Sequence, residues 1–359
     1  MPPSIAINGK YLGAPLNGVH RTAALYSREL LARRGDAELV APIPLPEGTP
    51  LDEAGHNRVR VVRGALGAGQ GWEMITLPRA TRKQLLVNFC NLGPLLHSRS
   101  VVMIHDAQTF LHPDDYTGRQ ATAYRALLPM IGRRAALVLT VSDFSKRSLA
   151  EHGVAKAENI AVVHNGTDHI LAVEPDIGVL DRLGLTGRPF AMTLGSTKRY
   201  KNMSCLFSAF SSDDVGMPLV VAGGPGREAY AADHGKIPQS TVFAGHVSDA
   251  ELRALYAAAT VFLFPSLTEG FGLPPVEAMQ CGCPVVAADA GAMPEICGDG
   301  AMLVDPRRPG DWHEATRVLC GDADRRARLA RRGAERALHF SWDRAGERLV
   351  ECLAPLTCT

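Results

Sequence analysis

The feature that most constrains this chain is a rhythm of short apolar runs, without polar alternation, separated by segments of helical period. The first half reads SIAING, HRTAALYSRELLARR, LLVNFC, SVVMIHD, YRALLPMIGRRA and ALVLTVS. The second reads PFAMTLGS, CLFSAF, LVVAGG, TVFAGH, ELRALYAAA, TVFLFPS, VEAMQCG and PVVAAD. A strand with one wet face alternates apolar and polar residues. Strands apolar throughout are buried on both faces, as in parallel sheets covered by helices. The expected fold class is therefore α/β, with two doubly wound Rossmann-like domains. A chain of 359 residues can give each domain its own core. Gly, Pro and Asp break the rhythm at residues 164–178, HNGTDHILAVEPDIG. We read an N-terminal domain over 1–170, a second over 171–340, and a final amphipathic helix over 341–359 that Trp342 anchors.

Composition narrows the class. Hydrophobic residues make up 46% and charged residues 21%, as in ordinary globular proteins. No stretch reaches the ~18 apolar residues of a spanning helix, and the N-terminus MPPSIAING has no signal-peptide pattern. The eight cysteines are scattered, with only Cys281 and Cys283 close together. Free thiols in a reducing cytoplasm are the expectation. The net charge is +1, but the first half is basic and the second acidic. A basic half suits an anionic membrane surface or a phosphate-bearing acceptor, and a solvated face equally well.

The chemistry gathers where strands end. In SLTEGFGLPPVEA, residues 266–278, Glu269 follows an apolar strand. Glu277 is expected in the first turn of the next helix, which Gly282 ends. In open α/β sheets that corner is a ligand site. In LGSTKRYKN, residues 194–202, Lys198, Arg199 and Lys201 follow another strand and suit an anion. In LVVAGGPGREA, Gly224, Gly226 and Ala229 match the dinucleotide fingerprint. The next strand lacks the acidic residue that would hold a nicotinamide ribose, so Gly223 and its neighbours read as a tight turn, beside a nucleotide or merely structural. In the first half, His105 and Asp106 end a strand and could orient or deprotonate a hydroxyl. The loop NGKYLGAPLNGVHR, residues 8–21, carries Asn17 and Gly18, where a bare backbone could approach a phosphate or sugar.

In this order the pieces resemble a retaining nucleotide-sugar glycosyltransferase of the GT-B fold, glycosyltransferase family 4 (group 1). HDAQTF, TVSDFSKRSL, VHNGTD, LGSTKRYKN, FAGHVSDAELRALYAAATVFLFPS, EGFGLPPVEAMQCGCPVVAADAGAMPEI and FSW carry the resemblance over nearly the whole chain. It implies a crevice between the domains, with the final helix packing back on the first. Glu269 is similar to the glutamate that faces the transferred sugar, and Glu277 to the one on the ribose hydroxyls. The amides of Phe271, Gly272 and Leu273 would reach sugar and phosphate oxygens. Lys201 matches the lysine on the diphosphate, and Arg199 is the nearest candidate for its partner. Val247 would meet the base through its backbone, and Gly223 and Gly18 would line the donor. His105 would lie near the donor sugar, with Asp106 and Asn17 on the acceptor side.

The implied reaction moves a hexose from a nucleotide-diphosphate sugar to an acceptor hydroxyl with retention, as in polysaccharide, glycolipid or glycoside synthesis. The donor is the substrate, and no metal, further cofactor or nucleic acid is implied. GDP-mannose is the first donor to test, with TDP-rhamnose and UDP-hexoses open, and the acceptor is a carbohydrate or lipid-linked. The expected setting is cytoplasmic, with peripheral membrane contact through the basic first domain. A sugar-nucleotide epimerase of the same fold is the alternative, and the glycine turn alone suggests a nicotinamide oxidoreductase.

Overall fold

The computed structural model describes residues 4–357 apart from 14–17, 47–48, 50, 52, 66, 212–214 and 235–236. The chain divides into two compact units. The first comprises Met1–Gly166 with Trp342–Thr359, and the second Thr167–Ser341.

The first unit is built on a seven-stranded parallel sheet. Its strands are β1 (Ile5–Asn8), β2 (Ala37–Ala41), β3 (Val59–Val61), β4 (Leu85–Asn88), β5 (Ser100–Met103), β6 (Leu137–Thr140) and β7 (Ile160–Val162). Their order is β3-β2-β1-β4-β5-β6-β7. The second unit has a six-stranded parallel sheet of β8 (Ala191–Leu194), β9 (Leu219–Ala222), β10 (Val242–Gly245), β11 (Val261–Phe264), β12 (Val285–Ala288) and β13 (Ala301–Val304). Its order is β10-β9-β8-β11-β12-β13. Strands β1, β4, β9, β11 and β12 are buried at every position, which is why they carry no polar alternation. Both orders begin 3-2-1-4-5-6 from the unit's own first strand, so in each sheet the direction of winding reverses between the first and fourth strands. Ile5 pairs with Leu85 across the first reversal, and Ala191 with Val261 across the second. At such a reversal the connections run to opposite faces of the sheet, which places a candidate ligand site at the strands' carboxyl ends.

Helices cover both sheets. In the second unit Met203, Leu206 and Phe207 pack with Trp312 and Leu319 against Leu219, Val221, Leu263 and Val286. Each large side chain so buried contributes about 1.5–3 kcal/mol. The last helix, Trp342–Thr357, lies against Gly18–Arg33 within the first unit. Trp342 and Tyr26 pack edge to face, and Tyr26 also stacks on Phe89. A Cβ on Gly166 would lie 2.3 Å from the Trp342 nitrogen, so only glycine fits there. Among the described residues no helix is long and apolar enough to cross a membrane, and the described cysteines are free thiols.

Candidate active site

In the second unit, the loops leaving β8 and β11 converge. Lys201 closes the short 3-10 turn Arg199–Lys201, and its Nζ lies 2.6 Å from Glu269 Oε1. The same ammonium sits 5.4 Å from the Tyr200 ring centre and 5.5 Å from that of Phe264. The pair is partly open to solvent, with side-chain exposures of 26% and 14%. Backbone contacts fix the meeting. Leu267 donates its N–H to the Tyr200 carbonyl at 2.7 Å. Asn202, at a left-handed φ of 57°, donates its side-chain amide to the carbonyls of Pro265 and Pro306. Gly291 has a φ of +59°, and a Cβ there would lie 2.8 Å from the Glu269 nitrogen. Arg199 is exposed on the same turn as Lys201, and the buried Tyr200 separates the two in sequence.

Glu277 lies on the helix Leu273–Gln280 and is 7% exposed. The helix starts three residues earlier than VEAMQCG suggests, because Pro274 and Pro275 occupy its first turn. Proline is tolerated there, since those N–H groups have no intrahelical partner. Glu277 therefore falls in the second turn, not the first, and no acidic residue occupies the first turn. The helix-dipole reading of Glu277 loses most of its force, because that effect fades beyond the terminal turn. Gly272 caps the helix at φ +87°, and a Cβ there would come within 2.3 Å of Met293 Cε. Phe271 is buried edge-on against Phe340, and Leu273 is the first helical residue. His169 Nε2 lies 3.3 Å from Glu277 Oε1.

The glycine turn after β9 has a packing role. A Cβ on Gly195 would lie 2.5 Å from the Gly223 carbonyl, and one on Gly224 would lie 2.8 Å from the Tyr230 hydroxyl. Two strand ends thus close on each other through glycines. Gly223 needs only its left-handed φ of +72°, and Gly226 meets nothing within 4 Å. Val247 is half-buried, just before the Ser248 cap of helix Asp249–Ala258.

In the first unit, the corresponding strand ends carry a buried polar set. Asn8 donates to Glu73 Oε1 at 2.7 Å and to Asn88 Oδ1 at 2.9 Å, and Lys10 Nζ reaches Glu73 Oε2 at 2.7 Å. Glu73 lies on the π-helix Trp72–Thr76, a rare element often found at functional sites. His105 is buried. Its Nε2–H donates to the Phe89 carbonyl at 2.8 Å, its own N–H donates to Asn91 Oδ1, and its carbonyl accepts from the Ser145 hydroxyl. Burial lowers its pKa, so the ring is held neutral. Asp106 Oδ1 accepts from the Gln108 N–H. Gly18 opens the helix Gly18–Arg33, and a Cβ there would meet nothing, so the missing side chain leaves open space. Asn17 lies outside the described residues. Among those described, no three His, Cys, Asp or Glu side chains are placed to hold a metal ion.

Residues 16–170 match the family model described as Glycosyltransferase Family 4, and residues 181–336 the one described as Glycosyl transferases group 1. The chain is a glycosyltransferase of this family. Among its relatives, the O-antigen chain mannosyltransferase B of Escherichia coli is 29% identical over 68% of this chain and 67% of its own length. The O-antigen chain mannosyltransferase RfbU of Salmonella typhimurium is 28% identical over 66% and 65%. A D-inositol 3-phosphate glycosyltransferase of Corynebacterium kroppenstedtii is 31% identical over 58% of this chain and 51% of its own. The matched stretch thus spans about two thirds of the first two relatives and about half of the third. Among solved structures, HepE of Anabaena, crystallised with UDP and glucose, covers 98% of this chain and 99% of its own at TM-score 0.75 and 20% identity. WaaG, of lipopolysaccharide biosynthesis, covers 97% and 99% at TM-score 0.71 and 15% identity. These likenesses establish the GT-B fold.

Several residues of this glycosyltransferase's strand-end loops escape a reading of sequence. Lys10 and Glu73 stand 63 positions apart, with no motif to link them. Asn202 looks like a loop asparagine, although its φ is the conformation asparagine tolerates best after glycine. His169 sits in a stretch that reads only as a domain break.

Proposed function

We propose that this glycosyltransferase moves a hexose from a nucleotide-diphosphate sugar to an acceptor hydroxyl with retention of configuration. GDP-mannose is the first donor to test. The observation that carries the reading is the Lys201–Glu269 pair at the carboxyl ends of β8 and β11, with Glu277 on the helix that follows. As the glycosidic bond breaks, the sugar approaches an oxocarbenium ion and negative charge gathers on the departing diphosphate. A preorganised cation at that point stabilises the transition state more than the bound donor. Lys201 fills this role, with Arg199 on the same turn as a second cation. The protein's own cations serve as counter-charge, without a metal. Glu269 faces the sugar, and Glu277 accepts from the ribose hydroxyls. His105, kept neutral, orients a sugar hydroxyl, with Asp106 on the acceptor side.

The mannosyl preference draws on the O-antigen mannosyltransferases, and the nucleotide donor on HepE. Peripheral contact with an anionic membrane belongs to the same proposal. It draws on the basic first half of the sequence. Salt-sensitive sedimentation with anionic vesicles supports that contact, and no binding at low salt removes it.

A thermal-shift panel of GDP, UDP, TDP and ADP, followed by the matching sugars, tests the donor. The expected result is the largest shift with GDP and turnover of GDP-mannose only when acceptor is present. Conversion of the donor's sugar without acceptor would point to epimerisation instead. The anomeric configuration of the product, read by NMR, tests retention.

A further inference from the structure

Glu277 is a buried carboxylate, and such a group needs donors around it. Two side chains from elsewhere in the second unit approach it. His169 Nε2 lies 3.3 Å from Oε1, and both side chains are about a tenth exposed, at 11% and 9%. Tyr256, on the helix Asp249–Ala258, is fully buried. Its hydroxyl faces the same carboxylate, and burial first, then that neighbouring charge, hold its pKa high.

The segment that carries His169 is fastened to the helices that carry the other two. Thr167 donates its N–H to the Phe340 carbonyl at 2.9 Å. Gln280, on the helix of Glu277, donates to the Thr167 hydroxyl at 3.4 Å and to the Ala337 carbonyl at 3.2 Å. Arg253, on the helix of Tyr256, donates to the carbonyls of Leu171 and Val173. The imidazole is therefore presented from a clamped turn rather than from a loose loop.

We propose that His169 is a positioning residue for Glu277, holding its carboxylate in the orientation that accepts the ribose hydroxyls of a nucleoside diphosphate. This rests on the reading of Glu277 given above. A carboxylate bridging two hydroxyls must present both oxygens in one plane. A ring nitrogen packed 3.3 Å from Oε1 confines the rotation of that carboxylate before the ligand arrives, which lowers the ordering cost of binding.

The test compares GDP with 2′,3′-dideoxy-GDP by calorimetry on wild type, His169→Ala and His169→Gln, with UDP and its dideoxy form alongside. Wild type binds the ribose form about tenfold tighter or more, the worth of a charge-assisted bond. In His169→Ala the ribose form loses about tenfold while the dideoxy form is unchanged. His169→Gln recovers most of the loss, because its amide reaches the same place. Undiminished discrimination in His169→Ala overturns the proposal and leaves the role of Glu277 standing. Equal loss for both forms assigns His169 to the fold alone and also overturns it. Equal binding of both forms by wild type overturns the role of Glu277 and this proposal with it.

Discussion

Each unit sets a lysine against a glutamate at the carboxyl ends of its central strands. Lys10 follows β1 and meets Glu73 at 2.7 Å; Lys201 follows β8 and meets Glu269 at 2.6 Å. Strands β1 and β8 hold the same place in their sheets, so the contacts are alike in chemistry and topology. Their surroundings differ. Glu73 is 3% exposed and also takes the amide of Asn8, which in turn bonds Asn88. The ammonium of Lys201 otherwise faces the rings of Tyr200 and Phe264, which make no hydrogen bond of comparable strength. The first pair is locked into a network that any substitution disturbs. The second is held by fewer polar contacts among the described residues, which suits the proposed exchange of a partner for a ligand's phosphate.

The largest expected effect is on turnover. With acceptor present, Lys201→Ala lowers nucleoside-diphosphate release from the donor that the thermal-shift panel selects by about 10²–10³-fold, the usual cost of removing one transition-state donor. Its thermal midpoint stays close to wild type, because a partly exposed pair contributes little to stability. The next effect is on stability. Glu73→Ala leaves Asn8 and Lys10 facing an empty site and costs about 2–4 kcal/mol in urea unfolding, at or below the fully buried case because Lys10 reaches solvent. A Glu73→Ala protein as stable as wild type would erase the contrast between the pairs.

The smallest effect is on pH dependence. His105 and His97 are both buried, with pKa values below the ordinary 6.5. Between the folded and unfolded values the unfolded chain binds the extra protons, so stability falls as pH drops below about 6.5. Hydrogen exchange followed from about pH 7.5 to about 5.5, corrected for intrinsic rates, should show β4 and β5 losing protection before β8 and β11. Equal loss in both sheets would remove the histidines as the cause.

The two units also differ in how far the sequence discloses them. The parallel sheets were legible because strands buried on both faces cannot alternate. The strand-end placement of Glu269 and Lys201 was legible, because each closely follows an apolar strand. Glu277 was legible as a residue but not in its setting, since the two prolines look like loop and in fact begin the helix. Lys10 and Glu73 were not legible, because their pairing depends on where the Trp72–Thr76 π-helix returns to the sheet. The same holds for His169, whose meaning comes from Gln280 and Arg253 clamping the turn that carries it. Contacts made along one loop leave a local pattern, and contacts between distant segments leave none.

The central claim is that Lys201, and not Lys10, holds the diphosphate. Calorimetric titration of GDP and GMP into wild type, Lys201→Ala and Lys10→Ala tests it, with the uridine and thymidine pairs run alongside. Wild type and Lys10→Ala should prefer the diphosphate by about tenfold or more, and in Lys201→Ala that preference should collapse. A Lys201→Ala protein that keeps its preference for GDP over GMP would contradict the account.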